Sequence, residues 1–232
     1  MASMVSRALI VAPQTTQDPL AHLPRSVIVE YKKRQVIYNQ DRPSAGLYVI
    51  INGMVKLCRL AADGREVVME IFRAGDYFGE SALLGLPQHA EQAAAMEETV
   101  VMMWSAAQIE DILANQPKLA VALWHVLVQR MLDLGRRIES FSRDDVPHRL
   151  ARSLIHLSER LGTPDGDGSI QMSAFTHELL SQYVGTSREI VSHYMNYFRK
   201  QGYLRYSRKG ISLYSEAFKV WLREESNVAV LR

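Results

Sequence analysis

From Ala120 to Phe141, Ala120, Trp124, Leu127, Met131, Leu134, Ile138 and Phe141 recur at alternating spacings of 4 and 3 residues. Only an α-helix aligns residues so spaced, and this heptad period lets a helix lie along a partner of its own kind. A second stripe, Leu119, Leu123, Val126 and Arg130, runs beside the first and predicts packing on the chain's own remaining mass. One wide buried face in a monomer would use the same residues, but the regularity of the seam favours a dimer. The helix divides the chain into two halves of different texture.

Before the helix, from Val27 to about Met103, short runs rich in Val, Ile, Tyr and Met alternate with turn signals such as Asp41-Arg42-Pro43, Asn52-Gly53 and Gly75-Asp76. They predict an antiparallel sandwich or barrel, with Ala61-Ala62-Asp63-Gly64 as a hairpin connection. From about Ser105 the pattern is helical. Ser142 to Pro147 breaks the long helix, and another helix follows from roughly His148 to Leu161. The expected division is an N-terminal extension over 1–22, a sheet domain over 23–116, a dimerisation helix over 117–143, a hinge over 144–147 and a second domain over 148–232. The fold class is α+β.

Within the second domain, Phe175 to Leu204 holds two helix-compatible runs separated by Gly185, with Thr186 or Ser187 placed to cap the second. Leu179, Leu180, Tyr183 and Val184 form the apolar face of the first run. Ile190, Val191, Tyr194, Met195 and Phe198 form that of the second, leaving Arg188, Glu189, Ser192 and His193 opposite. A helix carrying Arg and Glu on its N-terminal outer face can set them against base edges in a major groove. Two amphipathic helices around a glycine also occur in many helical domains that bind no nucleic acid. Local charge favours the DNA reading. Between Thr186 and Gly210, Arg188, Arg199, Lys200, Arg205, Arg208 and Lys209 face only Glu189, a net of +5 in a chain whose formal net charge is +2.

Composition closes off other classes. A chain of 232 residues with 47% hydrophobic content can fill two modest cores. The single cysteine, Cys58, excludes an intrachain disulfide and a cysteine-ligated iron–sulfur cluster, and favours a reducing cytoplasm. The one early apolar run, Ala8 to Ala12, is too short for a signal-peptide core or a membrane span. There is no glycine-rich phosphate loop, nucleophile elbow or paired-histidine metal motif, so no enzyme is expected.

Taken with their order, several motifs resemble the Crp/Fnr family of bacterial transcription regulators: Gly46-Leu47-Tyr48-Val49-Ile50, Asn52-Gly53-Met54-Val55-Lys56-Leu57, Gly75-Asp76-Tyr77-Phe78-Gly79-Glu80 and Val184-Gly185-Thr186-Ser187-Arg188-Glu189. The resemblance spans about Val27 to Tyr214. It implies a cyclic-nucleotide-binding-like β-roll, a homodimer, a winged helix-turn-helix on a palindromic double-stranded DNA operator, and RNA polymerase as a partner. By the same resemblance Arg188 would donate to guanine and Glu189 accept from cytosine. Ser192 and His193 would face the bases, and Thr176, Thr186 and Ser187 would lie at helix N-termini near phosphates. Where the catabolite-activator branch has an arginine this chain has His193, which leaves a TGTGA-related half-site expected but that step altered.

The effector pocket implied by the family comprises Gly79, Glu80 and Leu134, and here the chemistry departs. Glu80 matches the residue that holds a ribose hydroxyl. However, Ala90-Glu91-Gln92-Ala93 stands where an arginine should clamp the phosphate, and no Arg or Lys occurs between Glu80 and Thr99. Leu134 and Gly135 replace the adenine-facing hydroxyls. These departures argue against cAMP or cGMP, with Glu80 left as a turn-capping remnant. His89 and His125 keep a haem open, although lone histidines so placed are more often surface or core. A small apolar or anionic effector, or none, also fits. The rival functional reading is a β-roll adaptor acting through protein contacts. Base-reading residues inside a basic stripe disfavour it.

Overall fold

The computed structural model describes residues 23–61, 64–84 and 91–230. The N-terminal extension, His89, Ala90 and the Ala62-Asp63 part of the expected hairpin connection lie outside the described residues. Eight strands build the first domain: β1 (Val27–Tyr31), β2 (Val36–Tyr38), β3 (Gly46–Asn52), β4 (Met54–Leu60), β5 (Glu66–Arg73), β6 (Tyr77–Phe78), β7 (Glu91–Ala95) and β8 (Thr99–Ser105). They form two antiparallel sheets, ordered β1-β8-β3-β6 and β2-β7-β4-β5. Tyr38, Tyr48, Ile50, Val55, Phe72, Phe78, Ala93 and Val101 fill the space between the sheets.

Alternation along β3 explains its unbroken apolar run. Tyr48 and Ile50 face this interior, while Leu47 and Val49 point the other way, onto the helices that follow. Those helices are α1 (Ala106–Asn115), opened by a Ser105–Gln108 capping box, and α2 (Pro117–Arg143). Leu119 and Leu123 of α2 are buried against Leu47, Val49, Tyr77, Trp104 and Ile109, and the Tyr77 hydroxyl donates to the Leu123 carbonyl at 2.9 Å. The opposite stripe stands open: Trp124 is 67% exposed, Met131 65% and Ile138 59%. Strands β6 and β7 escaped the sequence reading. The first has two residues, and the second spells EQAAA, whose alanines have poor strand propensity but are small enough to be buried in the middle of a sheet.

Helix α3 (Val146–Leu161) follows after only two residues. The hinge expected over 144–147 is therefore Asp144-Asp145 alone, and the helix of the second domain starts at Val146 instead of His148. Asp145 caps α3 by accepting from the His148 N–H, and Pro147 sits in the first turn, where a missing N–H costs nothing. Then come β9 (Thr163–Pro164), β10 (Ile170–Met172), α4 (His177–Val184), α5 (Arg188–Lys200), β11 (Leu204–Ser207), β12 (Gly210–Leu213) and α6 (Ser215–Val230). The small sheet runs β11-β12-β10-β9, with β9 and β10 flanking the Gly- and Asp-rich turn over 165–168. Leu154, Leu180, Val191, Met195, Phe198, Leu213 and Phe218 form its core, and Cys58, Val68 and Ile71 of the first domain pack into the same cluster. Ile190 does not join it. At 40% exposure it corrects the expected apolar face of α5.

Candidate nucleic-acid interface

The helix-turn-helix is built from caps. Thr176 opens α4 by accepting from the Leu179 N–H at 3.1 Å. Gly185 ends α4 at φ +72°, a left-handed conformation that glycine adopts freely, and its N–H and that of Thr186 both bond Ser181 O. A Cβ at this position would also lie 2.8 Å from Phe141 Cε1, so the turn is pressed against the end of α2. Ser187 then caps α5 by accepting from the Ile190 N–H at 3.3 Å. Thr176 and Ser187, expected near phosphates, thus carry structural bonds at helix N-termini; the Thr176 hydroxyl keeps its own proton for a further acceptor, whereas that of Ser187 is turned to the Glu189 carboxyl.

Beyond that cap, Arg188, Glu189 and His193 are exposed on the first two turns of α5, with Ser192 half-buried between them and α4. Hydrogen bonds from its own backbone N–H and from the Ser187 hydroxyl hold the Glu189 carboxyl below its usual range, so it presents a fixed anionic acceptor. Ser192 Oγ donates to the Arg188 carbonyl at 2.8 Å and lies 2.8 Å from His177 Nδ1. With its proton committed to Arg188, this hydroxyl accepts from the imidazole N–H. Partial burial, aided by the Arg188 charge, lowers the His177 pKa and keeps that ring neutral. His177 belongs to the interface but was missed in the sequence, where nothing in its spacing links it to a serine fifteen positions later.

Within the basic stripe, Arg205 is exposed and pairs loosely with Asp167 at 3.5 Å, also contacting the Tyr214 hydroxyl. Arg188, Arg199, Lys200, Arg208 and Lys209 remain exposed, without ion-pair partners among the described residues. Arg199 lies 5.3 Å over the Tyr206 ring, and the Tyr206 hydroxyl donates to Asn196 Oδ1 at 3.1 Å, tying the β11–β12 wing to α5.

The residues expected to form an effector pocket are not gathered into one cavity. Gly79, at φ +88°, lets the backbone turn against the Gly46 carbonyl. Glu80 opens a short 3-10 turn (Glu80–Leu84) and is ion-paired with Arg130 of α2 at 2.9 Å. The Arg130 guanidinium also donates to the Tyr77 carbonyl and lies 4.7 Å and 4.4 Å over the rings of Phe72 and Tyr77. Leu134, 42% exposed, instead lines a cleft of about 660 Å³ between α2 and α3 with Arg136, Ser140, Arg152 and His156. Among the described residues the guanidinium beside Glu80, that of Arg130, is already paired, and Glu91 and Gln92 on β7 supply no cation for a phosphate. Burial pushes the Cys58 thiol up to about 11, marking it as a packing residue, and His125 is exposed on α2. Among the described residues no cluster of His, Cys, Asp and Glu could hold a metal ion, and no helix is long and apolar enough to cross a membrane.

A β-roll joined by a long helix to a winged helix-turn-helix, with an exposed basic reading edge, defines a DNA-binding regulator that carries a sensor-type domain. Comparison with known proteins agrees. Residues 28–116 match the model of the cyclic nucleotide-binding domain and residues 148–217 that of the Crp-like helix-turn-helix domain. The chain belongs to the Crp/Fnr family of transcription regulators. It is 28% identical over 183 residues to a CRP-like cAMP-activated global transcriptional regulator of Mycobacterium tuberculosis, covering 79% of this chain and 82% of that one. A CRP/FNR-family transcriptional regulator from Thermus thermophilus superposes with a TM-score of 0.67 at 25% identity, over 85% of this chain and 98% of the other. The c-di-GMP-responsive global regulator CLP of Xanthomonas campestris gives a TM-score of 0.70 at 24% identity, over 86% and 98%.

Proposed function

We propose that this regulator reads a palindromic DNA operator as a homodimer and does so without a cyclic nucleotide. The observation that carries the reading is the first two turns of α5. Arg188 and Glu189 are exposed side by side at the helix start, backed by Arg199, Lys200, Arg208 and Lys209, none of them ion-paired among the described residues. Arg188 donates to guanine O6 and N7, and Glu189 accepts from a cytosine amino group. Ser192 offers its remaining lone pair to a base-edge donor, and His193 faces the next step. Thr176, Thr186 and Ser187 lie beside phosphates at the two helix starts. The half-sites are related to TGTGA and altered at the His193 step.

Two chains pair along the exposed Trp124–Phe141 stripe of α2, which places two α5 helices about one helical turn apart, roughly 34–36 Å, on one face of the duplex. The relatives' names carry different effectors, cAMP in one and c-di-GMP in another, so this fold does not dictate the ligand. The Glu80–Arg130 pair and the missing phosphate cation support independence from cAMP. Bound near a promoter, such a dimer recruits or blocks RNA polymerase. Retardation of operator DNA by the wild type, abolished in the Arg188→Ala/Glu189→Ala double variant, is the expected result. Equal retardation by both proteins would refute base reading and leave a docking role for the winged helix.

A further inference from the structure

Two arginines stand one heptad apart on the inner face of α2, Arg130 and Arg137. The first grips only the β-roll, through Glu80 and Tyr77. The second spans both domains. Arg137 Nη1 donates to the Met69 carbonyl at 2.8 Å, and Nη2 donates to the Val68 carbonyl at 2.7 Å and to the Tyr183 carbonyl at 2.5 Å. Val68 and Met69 belong to β5, and Tyr183 is in the last turn of α4, the first helix of the helix-turn-helix. Carbonyls in a last helical turn lack intrahelical partners and carry the negative end of the helix dipole, so a guanidinium there is doubly favoured. The same guanidinium lies 4.1 Å over the Tyr183 ring.

One side chain of the dimer helix therefore fastens the sheet of one domain to the reading motif of the other. Three neighbouring contacts run alongside. Arg160 of α3 pairs with Glu70 of β5 and reaches Asp76 at 3.4 Å. Phe141 of α2 abuts Gly185, the turn before α5. Val68 and Ile71 share an apolar cluster with Leu180, Tyr183 and Val184. The covalent link at Asp144-Asp145 is only two residues, and a link that short leaves rotation as the freedom to be restrained. Arg137 sits beside the seam on the same helix. It thus refers the position of α4, and with it α5, directly to the dimer axis.

We propose that Arg137 is the positioning residue that sets the separation and angle of the two recognition helices. It touches no DNA. It determines which half-site spacing the dimer accepts, and any event that moves α2 against β5 reaches the DNA through it. This inference rests on the operator-reading dimer proposed above. Its signature is discrimination between spacings, because a duplex fixes both the distance and the rotational phase of its half-sites.

The test uses the full chain and duplexes in which the selected inverted half-sites are moved apart or together by one and two base pairs, with a single half-site duplex as reference. The wild type is expected to prefer one spacing about tenfold or more over its neighbours. Arg137→Met retains the aliphatic stem and removes the guanidinium; Arg137→Lys keeps the charge but lacks the planar fork that holds carbonyls of both domains at once. Both are expected to flatten the spacing profile to within about twofold while binding the single half-site as the wild type does. Circular dichroism and sedimentation identify any variant that fails to fold or dimerise, and the other variant then carries the test. A folded, dimeric Arg137→Met protein with the wild-type spacing profile would overturn the proposal. A wild type that binds single half-sites but shows no spacing preference would overturn it together with the dimeric operator reading, whereas flattened profiles in the variants alone uphold both.

Discussion

At the residue scale, the reading edge depends on side chains that serve no core. Arg188 and Glu189 are exposed, so replacing either with alanine should leave the melting temperature almost unchanged. Each replacement should weaken operator binding by about 1–3 kcal/mol, the range of one good base contact. Relaxed preference at one base step per variant, read from a mutated operator series, is the expected pattern; uniform weakening across all sequences would make them phosphate contacts. Two histidines set a pH dependence. Burial lowers the pKa of His156, where Glu70 and Asp133 partly oppose the shift, and partial burial with Arg188 lowers that of His177. The unfolded chain takes up these protons near pH 6.5 while the folded chain resists them. Stability is therefore full above about 6.5 and falls as the pH drops below it. Thermal unfolding from about pH 7.5 to about 5.5 should show that loss, and a His156→Gln/His177→Gln variant should lose less. An identical slope in the variant would remove both groups from the account.

The element scale separates what the sequence states from what it conceals. Periodic elements were legible: the seam of α2, its inner stripe down to Arg130, and the two helices around Gly185 all follow from spacing and caps. The inner face continues one heptad further to Arg137, in the same pattern. Short elements were not legible, because two residues of β6 or three buried alanines of β7 carry no periodicity and gain their pairing only from neighbours. The hinge is two residues shorter than the 144–147 that the proline suggests, because a proline in a first turn opens a helix instead of breaking it. Two predictions belong here. Met131→Asp/Ile138→Asp should convert the dimer to a folded monomer by sedimentation, since each such side chain is worth roughly 1.5–3 kcal/mol when buried and is open in one chain. A variant that stays dimeric would place the interface elsewhere. Gly185→Ala should cost about 1–2 kcal/mol from its left-handed φ alone, and more through Phe141, read as a lower melting temperature.

For the whole molecule, the sensor-type domain and the reading domain form one packed body through β5, α2 and α4, with shared apolar residues and the ties of Arg137 and Arg160. Much of the candidate DNA site was legible because it is local, lying within one motif of the chain. The effector question was legible only as an absence of cations, and the union of the two domains not at all, because it joins residues as distant as Glu70 and Arg160. The proposed reading of DNA without a cyclic nucleotide draws on this tie, since Arg130 and Glu80 already bridge α2 and the β-roll. The most direct measurement is selection of bound duplexes from a random pool by the purified chain, without ligand and with cAMP. The account predicts the same palindrome of TGTGA-related half-sites, altered at the His193 step, in both pools. A palindrome enriched only with cAMP would contradict it.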